Sequence, residues 1–226
     1  MKCCAIIPAR GGSKGIPLKS IALLAGRPLL ANTILAASGA HLVDRVVVTT
    51  DHDHIAAIAT ECGAYVVDRP AELAEDASSS EAALLHALQV LQRREHYVPD
   101  LTCFLQCTSP FTSAQDIDGA INHLLVSGAD SVLAAAAFHG FLWQQAPDGR
   151  AKSINHDAAH RIRRQDRQPE YQETGSVYVM RTEGFISARH RFFGRTELHV
   201  LPRDRLLEID EPDDLRLAEA LMTIPQ

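Results

Sequence analysis

Short, continuously apolar runs alternate with amphipathic segments through the first two-thirds of the chain, and this pattern limits the fold more than any other feature. Cys3–Pro8, Arg45–Thr50, Ala64–Val67, Leu101–Gln106 and Ser131–Ala137 read as strands. Such runs lack the one-in-two alternation of a half-solvated strand, so both faces must be covered. Helix signals fill the gaps: Pro28–Ser38 ending near Gly39, Asp51 capping a helix through Glu61 that Gly63 terminates, and Ser113–Val126. Ser78-x-x-Glu81 has the spacing of a capping box and opens a helix to about Arg94. Strand–helix alternation of this kind predicts an α/β protein with a mainly parallel sheet and helices on both faces. The 226 residues suit one domain, 1–226.

The pattern breaks at about 139–173, a polar stretch carrying RIRRQDRQPEYQE. It is too long for a passive connection, which predicts an inserted arm with a function or a partner. Regularity returns with strands at Ser176–Arg181 and Glu197–Leu201 and a helix at Pro212–Met222.

The first strand ends at Pro8 and runs into a loop with three glycines (Gly11, Gly12, Gly15), one hydroxyl (Ser13) and three cations (Arg10, Lys14, Lys19). Glycines let backbone N–H groups approach a ligand, and adjacent cations make the loop a polyphosphate cradle. The spacing fits neither a Walker A loop nor a dinucleotide fingerprint, and Pro17 prevents a direct run into a helix. An ordinary basic strand-to-helix loop is the competing reading.

In an open α/β sheet, ligands sit beyond the carboxyl ends of the strands. The basic loop, Arg69 after the third strand and Gln106 after the fourth are therefore expected to converge. Singly, Arg69 also reads as a surface charge and Gln106 as a loop hydrogen bond. If Leu206–Asp210 is extended, Glu208 and Asp210 project from one face and form a hard oxygen site suited to Mg²⁺ (or Mn²⁺) beside substrate phosphates. Glu211, Asp213 and Asp214 are better explained by the dipole of the last helix, a reading that extends to Asp210. Arg161, Arg163 and Arg164 cluster guanidiniums able to bind a carboxylate, or simply form a solvated face. No nucleophile elbow or Ser-His-Asp order is present.

The net charge of −6 argues against a nucleic-acid partner, because the basic residues cluster locally instead of forming a broad face. No apolar stretch reaches the roughly 20 residues needed to span a bilayer. Five cysteines without framework spacing suggest reduced thiols and a cytoplasmic setting. Cys3 and Cys4 are expected on opposite faces of one strand, and His52 and His54 beside Asp51 and Asp53 are read as a solvated helix start ahead of a metal site.

With these segments in hand, the chain resembles the acylneuraminate cytidylyltransferase (CMP-sialic acid synthetase) family. The resemblance rests on IPARGGSKGIPLK, DRPAEL at Asp68–Leu73, LQCTSPF at Leu105–Phe111, RRQD at Arg163–Asp166, ETGSVYV at Glu173–Val179 and EIDEPDDL at Glu208–Leu215. It implies a Rossmann-like nucleotidyltransferase fold and transfer of CMP from CTP to the anomeric hydroxyl of a carboxylated nonulosonic acid sugar, with release of pyrophosphate. It also implies a homodimer whose arms each reach the other subunit's site. Arg10, Gly11, Ser13, Lys19 and Ser20 fall on the family's nucleotide loop, with Arg10 and Lys19 in catalytic positions. Arg69, Ser78 and Ser80 match cytidine contacts. Gln106, Arg161, Arg164, Gln165 and Thr174 match acceptor contacts, and Glu208 and Asp210 match the metal pair.

Three positions depart from the common pattern: Ser20 replaces Asn, Glu208 replaces Asp, and Thr174 replaces Asn. The last opens the acceptor to deaminated, legionaminic or pseudaminic acids as well as N-acetylneuraminate. Kdo transfer, another sugar nucleotidyltransferase and a catalytically silent nucleotide-binding regulator are the alternatives. Some members carry a phosphatase-like C-terminal domain, which this chain is expected to lack.

Overall fold

A computed structural model describes residues 1–223. Its strands are β1 (Cys3–Pro8), β2 (Leu23–Leu24), β3 (Arg27–Pro28), β4 (Arg45–Thr50), β5 (Tyr65–Asp68), β6 (Leu101–Leu105), β7 (Ser131–Phe138), β8 (Trp143–Gln145), β9 (Ala151–Ser153), β10 (Glu170–Arg181) and β11 (Thr196–Leu201). The helices are α1 (Leu29–Gly39), α2 (Asp53–Glu61), α3 (Ser80–Glu95), α4 (Ala114–Ser127), α5 (Thr182–Ala188) and α6 (Pro212–Met222). Seven strands form one sheet in the order β11-β7-β10-β6-β1-β4-β5. All pairings in it are parallel except those of β10, which runs antiparallel to both β6 and β7.

The pleat of β1 separates two cores, as expected for alternating side chains. Cys3, Ala5 and Ile7 pack with α1, α2 and α4, while Cys4 and Ile6 pack with α3 and Phe185 of α5. A smaller cluster joins Leu24, Leu29, Ile209 and Ala218, and so anchors α6 and the segment before it beside the start of the chain. No helix among the described residues is long and apolar enough to cross a membrane.

Several expectations shift in detail. The N-cap of α2 is His52, whose Nδ1 accepts the His54 N–H at 3.3 Å, and not Asp51. Asp51 is used instead to accept the Gly11 N–H at 2.9 Å. The N-cap of α3 is Ser79, whose Oγ accepts the Ala82 N–H, so the Ser78–Glu81 box does not form. Residues 139–173 are not structureless: β8 and β9 form a hairpin, and β10 starts at Glu170, six residues before the expected Ser176. The α5 helix was not foreseen at all.

Candidate active site

The carboxyl ends of β1, β5 and β6 open onto a cleft of two joined chambers that share Pro8, Arg10, Cys107 and Thr108. One, about 420 Å³, is basic and is lined by Arg10, Ser13, Lys14, Lys19 and Ser20, with Asp210 and Glu211 opposite. The other, about 250 Å³, is lined by Arg69, Ser78, Ser79, Ser80, Phe104 and Gln106, with Glu75 and Asp76 at its mouth.

The basic loop is held from behind by the end of β4. Ala9 N–H donates to Thr49 O at 3.0 Å, and Gly11 donates to Asp51 as above. At Gly15 the loop lies against the Asp210 carbonyl so closely that a Cβ would overlap its oxygen. Leu18, in the left-handed region at φ 50°, turns the chain into a single helical turn at Lys19–Ile21. That turn aims Lys19 Nζ at Asp210 Oδ1, 2.7 Å away. Ser20 is 4% exposed, and its Oγ has no hydrogen-bond partner among the described residues. A buried hydroxyl without a partner is uncommon, and this one belongs to the wall of the basic chamber.

Arg10 and Lys14 both pair with Asp76, each at 2.9 Å. Arg10 also donates to Ala74 O at 3.3 Å, which ties the basic loop to the loop before α3. Arg69 is buried and donates to Thr49 O and, at 3.4 Å, to Thr49 Oγ1. Burial pulls its guanidinium down to about 10, against the opposing charge of Asp51, so it stays cationic at neutral pH. Ser78 Oγ is spent on Glu72 O at 2.9 Å, leaving Ser80 as the freer hydroxyl.

Glu208 accepts from Thr108 Oγ1 at 3.2 Å and lies over Gly175, where a Cβ would stand 3.0 Å from its carboxylate oxygens. Gly175 sits at φ +69°, a conformation that favours glycine. Burial pushes the Glu208 carboxyl up, and the negative charge of Asp210 pushes it further. The two carboxylates are near enough to feel each other's charge, and Lys19 pairs with Asp210 at the chamber wall. No group of three His, Cys, Asp or Glu side chains suited to a metal occurs among the described residues. A pair of hard oxygens fits a magnesium ion, which keeps waters and takes its remaining ligands from substrate phosphates.

The structure therefore gathers Arg10, Ser13, Lys19, Ser20, Arg69, Ser78, Ser80, Gln106 and Asp210 around one cleft, with Glu208 one contact behind it on Thr108. It does not bring Arg161, Arg164 or Gln165 there. Arg161 stacks 4.1 Å from the Phe141 ring on the arm, Arg167 stacks on the same ring, and Arg164 and Gln165 form a short turn. Thr174 is turned away as well: it is 1% exposed, donating to Ala134 O at 3.1 Å and paired with Ser176 Oγ at 2.7 Å. Its β-branched side chain is part of the β7–β10 seam. Asp76 and Phe104 join the cleft without having been singled out, while Thr108 comes with the Gln106 segment after β6. Phe104 reads as plain core from its apolar strand, and Asp76 is one acid among several in its loop.

A mainly parallel sheet with helices on both faces and a basic glycine loop after its first strand is the Rossmann-like nucleotidyltransferase fold, and solved structures share it. CMP:2-keto-3-deoxy-manno-octonic acid synthetase complexed with CTP superposes with a TM-score of 0.71 at 17% identity, covering 98% of both chains. The 4-diphosphocytidyl-2C-methyl-D-erythritol synthase of Anaerococcus prevotii also gives 0.71, at 14% identity over 99% of both.

The sequence model of the cytidylyltransferase family matches residues 4–222, and the chain belongs to that family. It is 38% identical over 218 residues to N-acylneuraminate cytidylyltransferase A of Danio rerio, covering 95% of this chain and 49% of that protein. The pseudaminic acid cytidylyltransferase of Campylobacter jejuni is 30% identical over 235 residues, covering 99% of this chain and 97% of its own. N-acylneuraminate cytidylyltransferase of Escherichia coli is 32% identical, with 96% and 51% covered. The chain thus spans about half the length of these N-acylneuraminate relatives and nearly all of the pseudaminic one.

Proposed function

We propose that this protein transfers CMP from CTP to the anomeric hydroxyl of a nonulosonic acid, releasing pyrophosphate. The observation that carries the reading is the joined pair of chambers: a basic one of triphosphate character, containing the unpartnered Ser20 Oγ, opens directly onto a serine-lined one with Arg69 at its base. The names of the relatives point to the same reaction and divide on the acceptor between N-acylneuraminate and pseudaminic acid.

In this reading Arg10 and Ser13 cradle the β- and γ-phosphates, the Gly11 N–H being taken by Asp51 outside the chamber lining, and Arg69, Ser78 and Ser80 orient cytidine. Gln106 faces the acceptor. Lys19, held by Asp210, lies where charge grows on the α-phosphate as the sugar hydroxyl attacks in line. Catalysis by such a site is positioning and charge stabilisation, with no covalent intermediate on the protein. Glu208 and Asp210 would hold Mg²⁺, which when bound supplies neutralisation of the triphosphate.

The guanidiniums at Arg161 and Arg164, with Gln165, stand on the arm and away from their own cleft. We assign them to the acceptor carboxylate of a second copy, which makes the enzyme a homodimer. Five unpaired cysteines favour the cytoplasm.

Pyrophosphate release with CTP, UTP, GTP and ATP, each against N-acetylneuraminic, legionaminic and pseudaminic acids and Kdo, tests the reading. Turnover is expected with CTP and one or more nine-carbon acids. Equal turnover with UTP, a preference for Kdo, or no pyrophosphate from any pair would refute it.

A further inference from the structure

Arg191 lines neither chamber, yet it joins two parts of the cleft wall. Its Nε donates to Glu81 Oε1 at 2.6 Å, and the two side chains keep only 16% and 11% of their exposure. The guanidinium centre stands 4.7 Å from the centroids of both Phe104 and Tyr178, whose rings stack 5.1 Å apart at 19°. Burial pulls Arg191 down, but the Glu81 bond and charge more than offset it, while Glu81 is held below its ordinary value. The pair is ionised at neutral pH.

Both ends of this arrangement reach the serine-lined chamber. Phe104 is part of its wall. Glu81 directly follows Ser79 and Ser80, the N-cap and first residue of α3, which line it too. The loop that presents Arg191 is itself fixed: Arg195 N–H donates to Asp130 Oδ2 at 2.7 Å. A buried ion pair is a poor source of net stability, because an apolar pair of similar volume does as well. What a guanidinium adds is geometry, since one rigid plane stacks on a ring and bonds a carboxylate at the same time.

We propose that Arg191 is a positioning residue for the nucleotide donor: it sets the Phe104 ring and the Ser79–Ser80 wall at the spacing that the nucleoside requires, without touching the nucleotide. The inference rests on the reading of the cleft as a CTP site. Its consequence is a split between two affinities. Inorganic tripolyphosphate needs only the basic chamber, whereas CTP needs both.

Calorimetric titration of each ligand into the wild type, Arg191→Met and Arg191→Lys tests this. Arg191→Met is expected to weaken CTP about tenfold while tripolyphosphate stays within about twofold. Arg191→Lys keeps the charge near Glu81 but loses the plane, and is expected to fall between the two. It carries the test should Arg191→Met not fold. Unchanged CTP affinity in the variants overturns the proposal alone, as does equal weakening of both ligands, which marks a merely structural role. A wild type that binds tripolyphosphate but not CTP overturns the donor reading and this proposal together.

Discussion

Replacing Gly15 by alanine separates the cleft's geometry from its charge, because it adds one methyl group and removes nothing. The new Cβ would overlap the Asp210 carbonyl oxygen and stand 3.1 Å from Glu211 Oε1 and 3.3 Å from the Asp210 carbonyl carbon. Relief requires the loop and the acidic segment to part by on the order of 1 Å, since comfortable heavy-atom contacts lie near 3.5–4.0 Å. The Asp210 backbone is fixed on its other side, where Asp214 accepts its N–H at 3.0 Å and Ile209 N–H donates to Thr108 O at 2.8 Å. The loop must therefore give way, and with it Ser13 and Lys19. A misplacement of about 1 Å at reacting groups costs roughly a hundredfold in rate. Gly15→Ala is thus expected to lower kcat/KM with CTP about a hundredfold, with thermal stability little changed, because the loop lies outside the main cores. Gly12 is the internal control: a Cβ there meets nothing within 4 Å, so Gly12→Ala should keep activity within about twofold. Steady-state pyrophosphate release and a thermal melt on both variants decide the matter. Comparable activity of the two would refute the claim that contact between the loop and Asp210 sets the geometry.

Asp76→Asn leaves the Arg10 and Lys14 cations without their present counter-charge and should tighten pyrophosphate binding several-fold at low salt, an effect that shrinks as ionic strength rises; weaker binding would show that Asp76 supports the loop instead. Burial, with the nearby His123 charge, holds His199 below its ordinary 6.5. The unfolded chain then takes up a proton near that pH that the folded one refuses, so stability should fall as pH drops through about 6.5, and His199→Gln should flatten this part of the urea-midpoint profile. Burial pushes the Cys107 thiol up to about 11, against the pull of Lys19, while Cys62 is only half-buried. Iodoacetamide at pH 8 should therefore modify Cys62 well before Cys107 by mass spectrometry, since the thiolate is the reactive form.

Much of the fold is legible because burial writes itself into the sequence. The bounds of β1 and β4 match their apolar runs residue for residue, since both strands are central and covered on two faces. The first part of β10 is not legible. Glu170–Glu173 pair with Ala135–Phe138 through the backbone, but their side chains largely face solvent, and periodicity records burial and not hydrogen bonding. The α5 helix has seven residues, includes Gly184 and lacks a side-chain cap, so it shows neither face nor start signal. The cap errors are of another kind. Ser78 and Ser79 are chemically equivalent, and imidazole is not among the usual capping groups.

The site divides in the same way. Arg69, Gln106 and the basic loop could be placed together because strand ends gather ligand contacts wherever a parallel sheet forms. Asp76 could not, because its meaning depends on two cations more than sixty residues away that share its carboxylate. That omission changes how the cleft is understood. Read alone, the loop is an open cradle of positive charge. In the folded chain Arg10 and Lys14 share Asp76, and Lys19 leans on Asp210, so two of the cradle's three positive charges are already offset. A polyphosphate entering it exchanges one set of ion pairs for another, and its net affinity is the difference between them. The proposed reaction, which releases pyrophosphate at every turnover, would benefit from that offset, because a fully unpaired cradle would bind the product as tightly as the donor.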